Sequence, residues 1–181
     1  MPVALPRGSF DADALLRAAL RGERACGTFP MRIDRDGGWH YRGSPIGRMP
    51  LVRLFASVLR RADDGSYWLV TPAEQGRIEV EDVPFTAVEM RRSGAGQDGA
   101  ISFRTNLDEW VPLDPEHPLR TAPDAGGAEV PYLLVRDRLE ARLARPVYYE
   151  LAEMAEPEDG AAERLGVWSG GRFWPLGSGG D

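Results

Sequence analysis

Few residues in this chain could do chemistry, and their spacing argues against most of it. Asp34-Arg35-Asp36-Gly37 opens like a calcium loop, but an EF-hand starting at Asp34 needs glycine and glutamate where Trp39 and Pro45 stand. Gly38 to Ser44 (GWHYRGS) has the glycine spacing of a phosphate loop, yet Arg42 precedes Gly43 and no lysine follows, so a hairpin strand is the natural account. His40, His117 and Cys26 lack ligand-spaced companions, which speaks against zinc. Cys26 and His40 could be posed as thiol and base, but no motif flanks Cys26, and a lone cysteine behaves as a small buried apolar residue. The carboxylate pairs Asp34 with Asp36, Glu79 with Glu81 and Asp108 with Glu109 read as turn-forming or solvated groups. Asp34 and Asp36 nevertheless supply the one enzymatic alternative, a carboxylate-dependent hydrolase of a phosphorylated or acyl small molecule. Neither cofactor nor metal is expected.

What remains is arginine beside glycine and helix starts. Gly43-Ser44-Pro45-Ile46-Gly47-Arg48 runs into a helix that Pro50 can begin, where unpaired N–H groups and the helix dipole favour an anion. The competing reading is a tight helix entry with Arg48 in a salt bridge. Trp39, Tyr41, Tyr67, Trp68, Tyr148, Tyr149, Trp168 and Trp174 could line a cleft, although aromatics at such density in a small β-rich chain mostly pack.

Composition narrows the partners. The 181 residues are 43% apolar, enough for a core of ordinary size in one domain or two small ones. A net charge of -6 and a pI near 5.1 oppose binding to nucleic acid. All 22 basic residues are arginine, as a GC-rich coding sequence also rich in Ala, Gly and Pro would give. A single cysteine allows no internal disulfide, the start MPVALPRGSF lacks a signal-peptide pattern, and no apolar run reaches the roughly 18 residues that cross a bilayer. A cytoplasmic protein without a transmembrane segment is the expectation.

The elements that must position these residues follow from periodicity and turn chemistry. A helix is predicted over Ser9 to Arg21, and a hairpin from Met31–Asp34 and Trp39–Arg42 around Arg35–Gly38. A second helix starts at Pro50 and carries apolar residues at helical spacing to Arg61. Short strands follow at Tyr67–Thr71, Arg77–Glu81, Phe85–Arg91, Ile101–Thr105 and Trp110–Leu113, a mostly antiparallel meander. Asp114–Glu129, with three prolines, reads as a connection holding at most a brief strand. Tyr132–Arg136 and Glu140–Leu143 form a hairpin, Pro146–Ala155 a helix, Leu165–Trp168 and Arg172–Pro175 a last hairpin, and Gly177–Asp181 a frayed tail. Hairpin, arginine, proline-started helix and aromatic strand thus occur twice, over Met31–Val70 and Tyr132–Trp174, with Arg48-Met49-Pro50 answered by Arg145-Pro146. The order suggests duplication, although identity between the copies is low.

Several unusual words stand in order: Met31-Arg32-Ile33, Arg35-Asp36-Gly37, Gly43-Ser44-Pro45-Ile46-Gly47-Arg48, Val52-Arg53-Leu54-Phe55, Leu69-Val70-Thr71-Pro72-Ala73-Glu74 and Val80-Glu81-Asp82-Val83-Pro84-Phe85. A weaker set continues through Phe103-Arg104-Thr105-Asn106, Val135-Arg136-Asp137 and Gly166-Val167-Trp168-Ser169. In these words the chain resembles the bacterial family called Domain of Unknown Function 1285. The resemblance implies an α+β fold of two related subdomains, 1–84 and 85–181, with mostly antiparallel sheets and a C-terminal unit like a pleckstrin-homology domain. It carries no reaction. The residues themselves suggest a non-enzymatic ligand-sensing or protein-interaction module binding a small anion or acidic peptide, with a partner protein also possible, and the resemblance implies a role in bacterial signalling. The expected site is a groove between the units lined by Arg48, Arg53, Thr71, Arg136 and Arg145 with Trp39 and Tyr41. The chain departs from the family pattern at Pro30, where an acidic residue is expected, and at Gln75, where a basic one is.

Overall fold

The hairpin around Asp34 does not belong wholly to the N-terminal part of the chain. In the computed structural model, which describes residues 21, 27–124 and 126–178, contacts divide the molecule into two units: Met1–Arg32 with Trp39–Glu79, and Ile33–Gly38 with Val80–Asp181. Cys26 and all of the predicted first helix except Arg21 lie outside the described residues.

The first unit is built on one sheet. Its strands are β1 (Gly27–Ile33), β2 (Trp39–Tyr41), β3 (Ser44–Pro45), β4 (Leu59–Arg61), β5 (Tyr67–Val70) and β6 (Gln75–Val80), in the order β3-β2-β1-β6-β5-β4. Helix α1 (Met49–Ser57) lies between β3 and β4 in sequence and buries Val52 and Ala56. The helical periodicity predicted to Arg61 stops at Ser57. Leu59, fully buried, instead pairs with Leu69, Arg60 with Trp68 and Arg61 with Tyr67. Sheet pairing outweighs local spacing here, as expected when a β-branched Val58 and a tight turn follow the helix. That turn is closed by Asp64, whose carboxylate accepts from the Ser66 amide (2.9 Å) and hydroxyl (2.5 Å), while the Ser66 hydroxyl accepts from the Trp68 indole (2.8 Å).

The second unit has two sheets. Strands β7 (Phe85–Ser93), β8 (Ala100–Thr105), β9 (Trp110–Pro112), β10 (Leu119–Pro123), β11 (Glu129–Arg136) and β12 (Leu139–Leu143) lie in the order β10-β11-β12-β7-β8-β9. All neighbours are antiparallel except β12 and β7. Strand β10, of five residues, sits in the segment expected to be a connection holding at most a brief strand. The β11–β12 hairpin turns through Asp137 and Arg138, both at positive φ (44° and 64°), the geometry that matches the twist of the flanking strands. Helix α2 (Arg145–Glu153) follows, burying Val147 and Leu151, and then β13 (Glu156–Glu158), β14 (Ala161–Ser169) and β15 (Arg172–Ser178) make a three-stranded antiparallel sheet. Strand β13 is an addition, and β15 takes in Gly177 and Ser178 of the expected tail. Ser169, almost wholly buried, joins the sheets: its hydroxyl donates to the Leu113 carbonyl (2.8 Å) and accepts from the Ile101 amide (3.0 Å). Phe85, Phe103, Ile101, Leu133, Leu139, Leu151 and Val167 are among the fully buried residues of this unit.

The turn Ile33–Gly38 is clasped inside the second unit. The Thr86 hydroxyl donates to the Asp36 carbonyl (2.8 Å), the Asn106 amide to the Gly37 carbonyl (3.1 Å), and the Arg35 N–H to the Glu81 carboxylate (3.0 Å). Gly37 is required there, because its φ is +84° and a Cβ would fall 2.7 Å from the Asn106 amide nitrogen.

The two segments read as copies share an element order but not a strand pairing. In both helices proline is the second residue, Pro50 and Pro146, whereas Arg48 precedes α1 as its N-cap and Arg145 is the first residue of α2. Strand β6 returns to pair beside β1, while β13–β15 stand as a sheet of their own. The likeness between the two segments extends over the element order, while the meander is placed differently in each.

Candidate functional site

Five of the seven residues expected to line a ligand site lie in the first unit. Trp39 on β2 is 3% exposed, its ring stacks on Phe55 of α1 at 6.1 Å, and its buried indole N–H has no hydrogen-bond partner. Tyr41 is 45% exposed at the end of the same strand, with the Arg42 guanidinium 5.3 Å from its ring. Arg48 and Arg53 are exposed at the start and on the outer side of α1. The Thr71 hydroxyl closes the β5–β6 turn, donating to the Glu74 carbonyl (2.9 Å) and accepting from the Glu74 amide (3.1 Å). Gln75, where the family pattern expects a basic residue, is buried beside Val70 with neither amide atom hydrogen-bonded. The other two expected residues lie in the second unit. Arg136 ends β11 with its guanidinium 5.1 Å from the Phe85 ring, and Arg145 is exposed at the start of α2.

The carboxylates that the structure partners are engaged in turns and ion pairs. One Asp34 oxygen accepts from the amides of Asp36 (3.0 Å) and Gly38 (2.8 Å), an Asx turn. Asp108 and Glu89 both pair with Arg104, and Asp114 accepts from the Glu116 and His117 amides and contacts the His117 ring (2.8 Å). Among the described residues no three His, Cys, Asp or Glu side chains are grouped as a metal site would need.

Sequence reasoning missed a polar row across the second unit. Register places Arg120 opposite Tyr132, Tyr132 opposite Arg142, and Arg142 opposite Thr86, so the four share one sheet face. Arg120 forms a bidentate pair with the nearly buried Glu140 (2.5 and 2.7 Å) and lies 4.6 Å from the Tyr132 ring. Arg142 donates to Asp82 (3.2 Å) and Asp124 (3.0 Å), and the Tyr132 hydroxyl reaches both Asp82 oxygens at 3.1 Å. Burial and the Asp82 carboxylate push the Tyr132 phenol up to about 12. The Ala128 amide, then the Gly126 amide and Arg142, hold Asp124 below the usual carboxylate range against its own burial. Arg120 is raised by Glu140. These charges are all paired, and the row is a clamp across four strands rather than a reactive centre.

Beside this row the unit opens. A groove of about 860 Å³ runs between β10 and the β14–β15 ribbon, lined by Leu119, Arg120 and Thr121 on one wall and by Ala161 to Arg164, Pro175 and Gly177 on the other. The Thr121 hydroxyl is buried with no hydrogen-bond partner. Arg164 is held by Glu158 (3.0 Å), and Glu163 is the lining carboxylate. The lining residues include no histidine, cysteine, serine or aspartate, and the polar side chains among them are those of Arg120, Thr121, Glu163 and Arg164. The chemistry of the groove is hydrogen bonding and shape.

Comparisons with known protein families cover residues 23–176. The model described as "Domain of unknown function (DUF1285), N-terminal domain" matches residues 23–83, and "Protein of unknown function (DUF1285), C-terminal domain" matches residues 84–176. The crystal structure of a DUF1285 family protein from Silicibacter pomeroyi DSS-3 is 39% identical, with a TM-score of 0.78 over 86% of this chain and 84% of that one. A DUF1285 family protein from Shewanella baltica OS155 is 28% identical, with a TM-score of 0.55 over 68% of this chain and 91% of that one. Among curated proteins nothing matches. No helix of the described residues is long and apolar enough to cross a membrane.

Proposed function

The chain belongs to the DUF1285 family, and from that premise we propose that it is a non-enzymatic binding module whose site is the groove between β10 and the β14–β15 ribbon. In this reading the two sheets of the C-terminal unit are the walls of a pleckstrin-homology-like half-barrel, open on that side. The observation that carries it is an open groove of about 860 Å³ in the second unit, lined by Leu119, Arg120 and Thr121 of β10 and by residues of β14 and β15. The hydrolase alternative is disfavoured because Asp34 already accepts two backbone amides in its own turn.

The test is a thermal-shift screen of the full chain against carboxylates, phosphorylated metabolites, nucleotides and short peptides. At 100 times its dissociation constant a ligand adds about 2.7 kcal/mol, a rise on the order of 5 to 10 °C for a chain of this length. Ala162→Trp, which fills the groove from an exposed position, should abolish the rise while leaving the free protein's Tm within a degree or two. A screen without a stabiliser, or one whose stabiliser acts equally on Ala162→Trp, defeats the reading.

A second reading rests on the helix starts. Neither α1 nor α2 has a side-chain cap or an acidic residue in its first turn, and each carries an exposed arginine there, Arg48 or Arg145. A phosphate or carboxylate could sit at either one.

A further inference from the structure

Strand β10 ends its sheet, and the register fixes which of its backbone groups face outward. The Leu134 N–H donates to the Pro118 carbonyl (3.0 Å) and the Asp124 N–H to the Ala128 carbonyl (2.8 Å). With Leu119 opposite Leu133 and Pro123 opposite Glu129, the even-numbered residues of the strand are the hydrogen-bonded partners of β11. The N–H and C=O groups of Leu119 and Thr121, and the C=O of Pro123, therefore point away from β11. No residue of β11 lines the groove, while Leu119, Arg120 and Thr121 do, so the outward groups face it. None of them pairs with another described residue.

Resting on the binding reading above, we infer that the occupant of the groove is an extended polypeptide segment that adds to β10 as a seventh strand of the sheet. Two donors and three acceptors recur along the edge every second residue, about 6.6–6.8 Å apart, which is the period of an extended chain. Five residues of β10 offer a run of about 17 Å. The edge is only partly protected: β15 approaches it and Pro118 and Pro123 flank it, but its pairing with β11 runs over five residues without a bulge and its inward side chains are Leu119 and Thr121 rather than charges. The opposite wall begins with Ala161 and Ala162, whose small side chains leave room for a backbone. Arg120 and Arg164 are already matched by Glu140 and Glu158, so charge contributes little to the selection.

The experiment selects phage-displayed random heptapeptides on the full chain and measures the enriched peptides in solution. Bound peptide should slow amide hydrogen exchange at Leu119 and Thr121 at least tenfold. Thr121→Pro removes one outward N–H and none of the bonds to β11, so it should weaken binding at least tenfold with circular dichroism and Tm preserved. Should that variant fail to fold, N-methylation of the peptide decides independently, since methylating alternate residues should abolish binding and methylating the intervening ones should not. Failure to enrich any peptide, equal binding to Thr121→Pro, or indifference to N-methylation overturns the inference. A dimer of the free protein that Thr121→Pro dissolves also overturns it, because the occupant is then a second copy of this chain. Small-molecule stabilisers lost in Ala162→Trp, with no peptide found, would leave the groove a binding site and remove only the strand.

Discussion

The segments β1–β6 and β11–β15 begin alike, with a hairpin and a helix whose second residue is proline, and then end differently. In the first, β1 has β2 on one side and an open edge on the other, and β6 comes back to fill it. In the second, β11 already has β10 on that side, and β12 has β7. No edge is left for the returning meander, so β13–β15 form a separate sheet tied across by Ser169. One short strand decides the difference. By occupying the edge of β11, β10 displaces the meander and leaves its own outer edge open.

The comparison is most easily broken at the two meander glycines. A Cβ on Gly166 of β14 would fall 2.3 Å from the Trp174 carbonyl oxygen, a backbone atom that cannot yield, whereas on Gly76 of β6 it would meet the half-exposed Phe29 ring at 2.7 Å. Gly166→Ala should cost about 3 kcal/mol, read as a Tm lower by about 6 to 12 °C, and Gly76→Ala about 1 kcal/mol. Equal losses would mean that the separate sheet is no more tightly determined than the returning one. A smaller effect comes from acid. Asp124 has its folded-state pKa depressed, so its contribution is present above the unfolded value near 3.8 and is lost as pH falls through the lower folded value. Melting temperature should therefore fall more steeply below pH 4 in the wild type than in Asp124→Asn. Parallel curves would remove Asp124 from the clamp. The smallest effect is expected at Arg48→Ala, which changes an exposed side chain and should move Tm by under about 1 °C. If anions that stabilise the wild type no longer stabilise this variant, the helix-start reading gains over the groove.

Local chemistry made most elements legible. The Arg35–Gly38 turn, the proline-started helices and the strands at Tyr67, Phe85, Ile101 and Tyr132 follow from turn residues and alternation. The errors lie where a partner decides. Val58 and Leu59 continue the helical spacing of α1, and only pairing with Leu69 turns Leu59 into a strand residue. Leu119-Arg120-Thr121 alternates correctly, but prolines on both sides hide it, and proline is tolerated there because the strand is an edge. Glu156-Pro157-Glu158 has no apolar residue to mark β13. The groove needs β10 for a wall, so a reading that lacked β10 could not assemble it, and the row through Arg120, Tyr132 and Arg142 was hidden for the same reason.

The clasp on the Asp34 turn bears on how this protein can be taken apart. A cut near Phe85 looks natural along the chain, yet it removes the carbonyls of Asp36 and Gly37 from the Thr86 hydroxyl and the Asn106 amide that hold them. A C-terminal fragment made that way would expose two orphaned polar side chains, and the N-terminal fragment would carry a turn without its lock. Gene fusions or chimaeras that exchange one half for a relative's must therefore carry Ile33–Gly38 and Thr86 with Asn106 from the same parent.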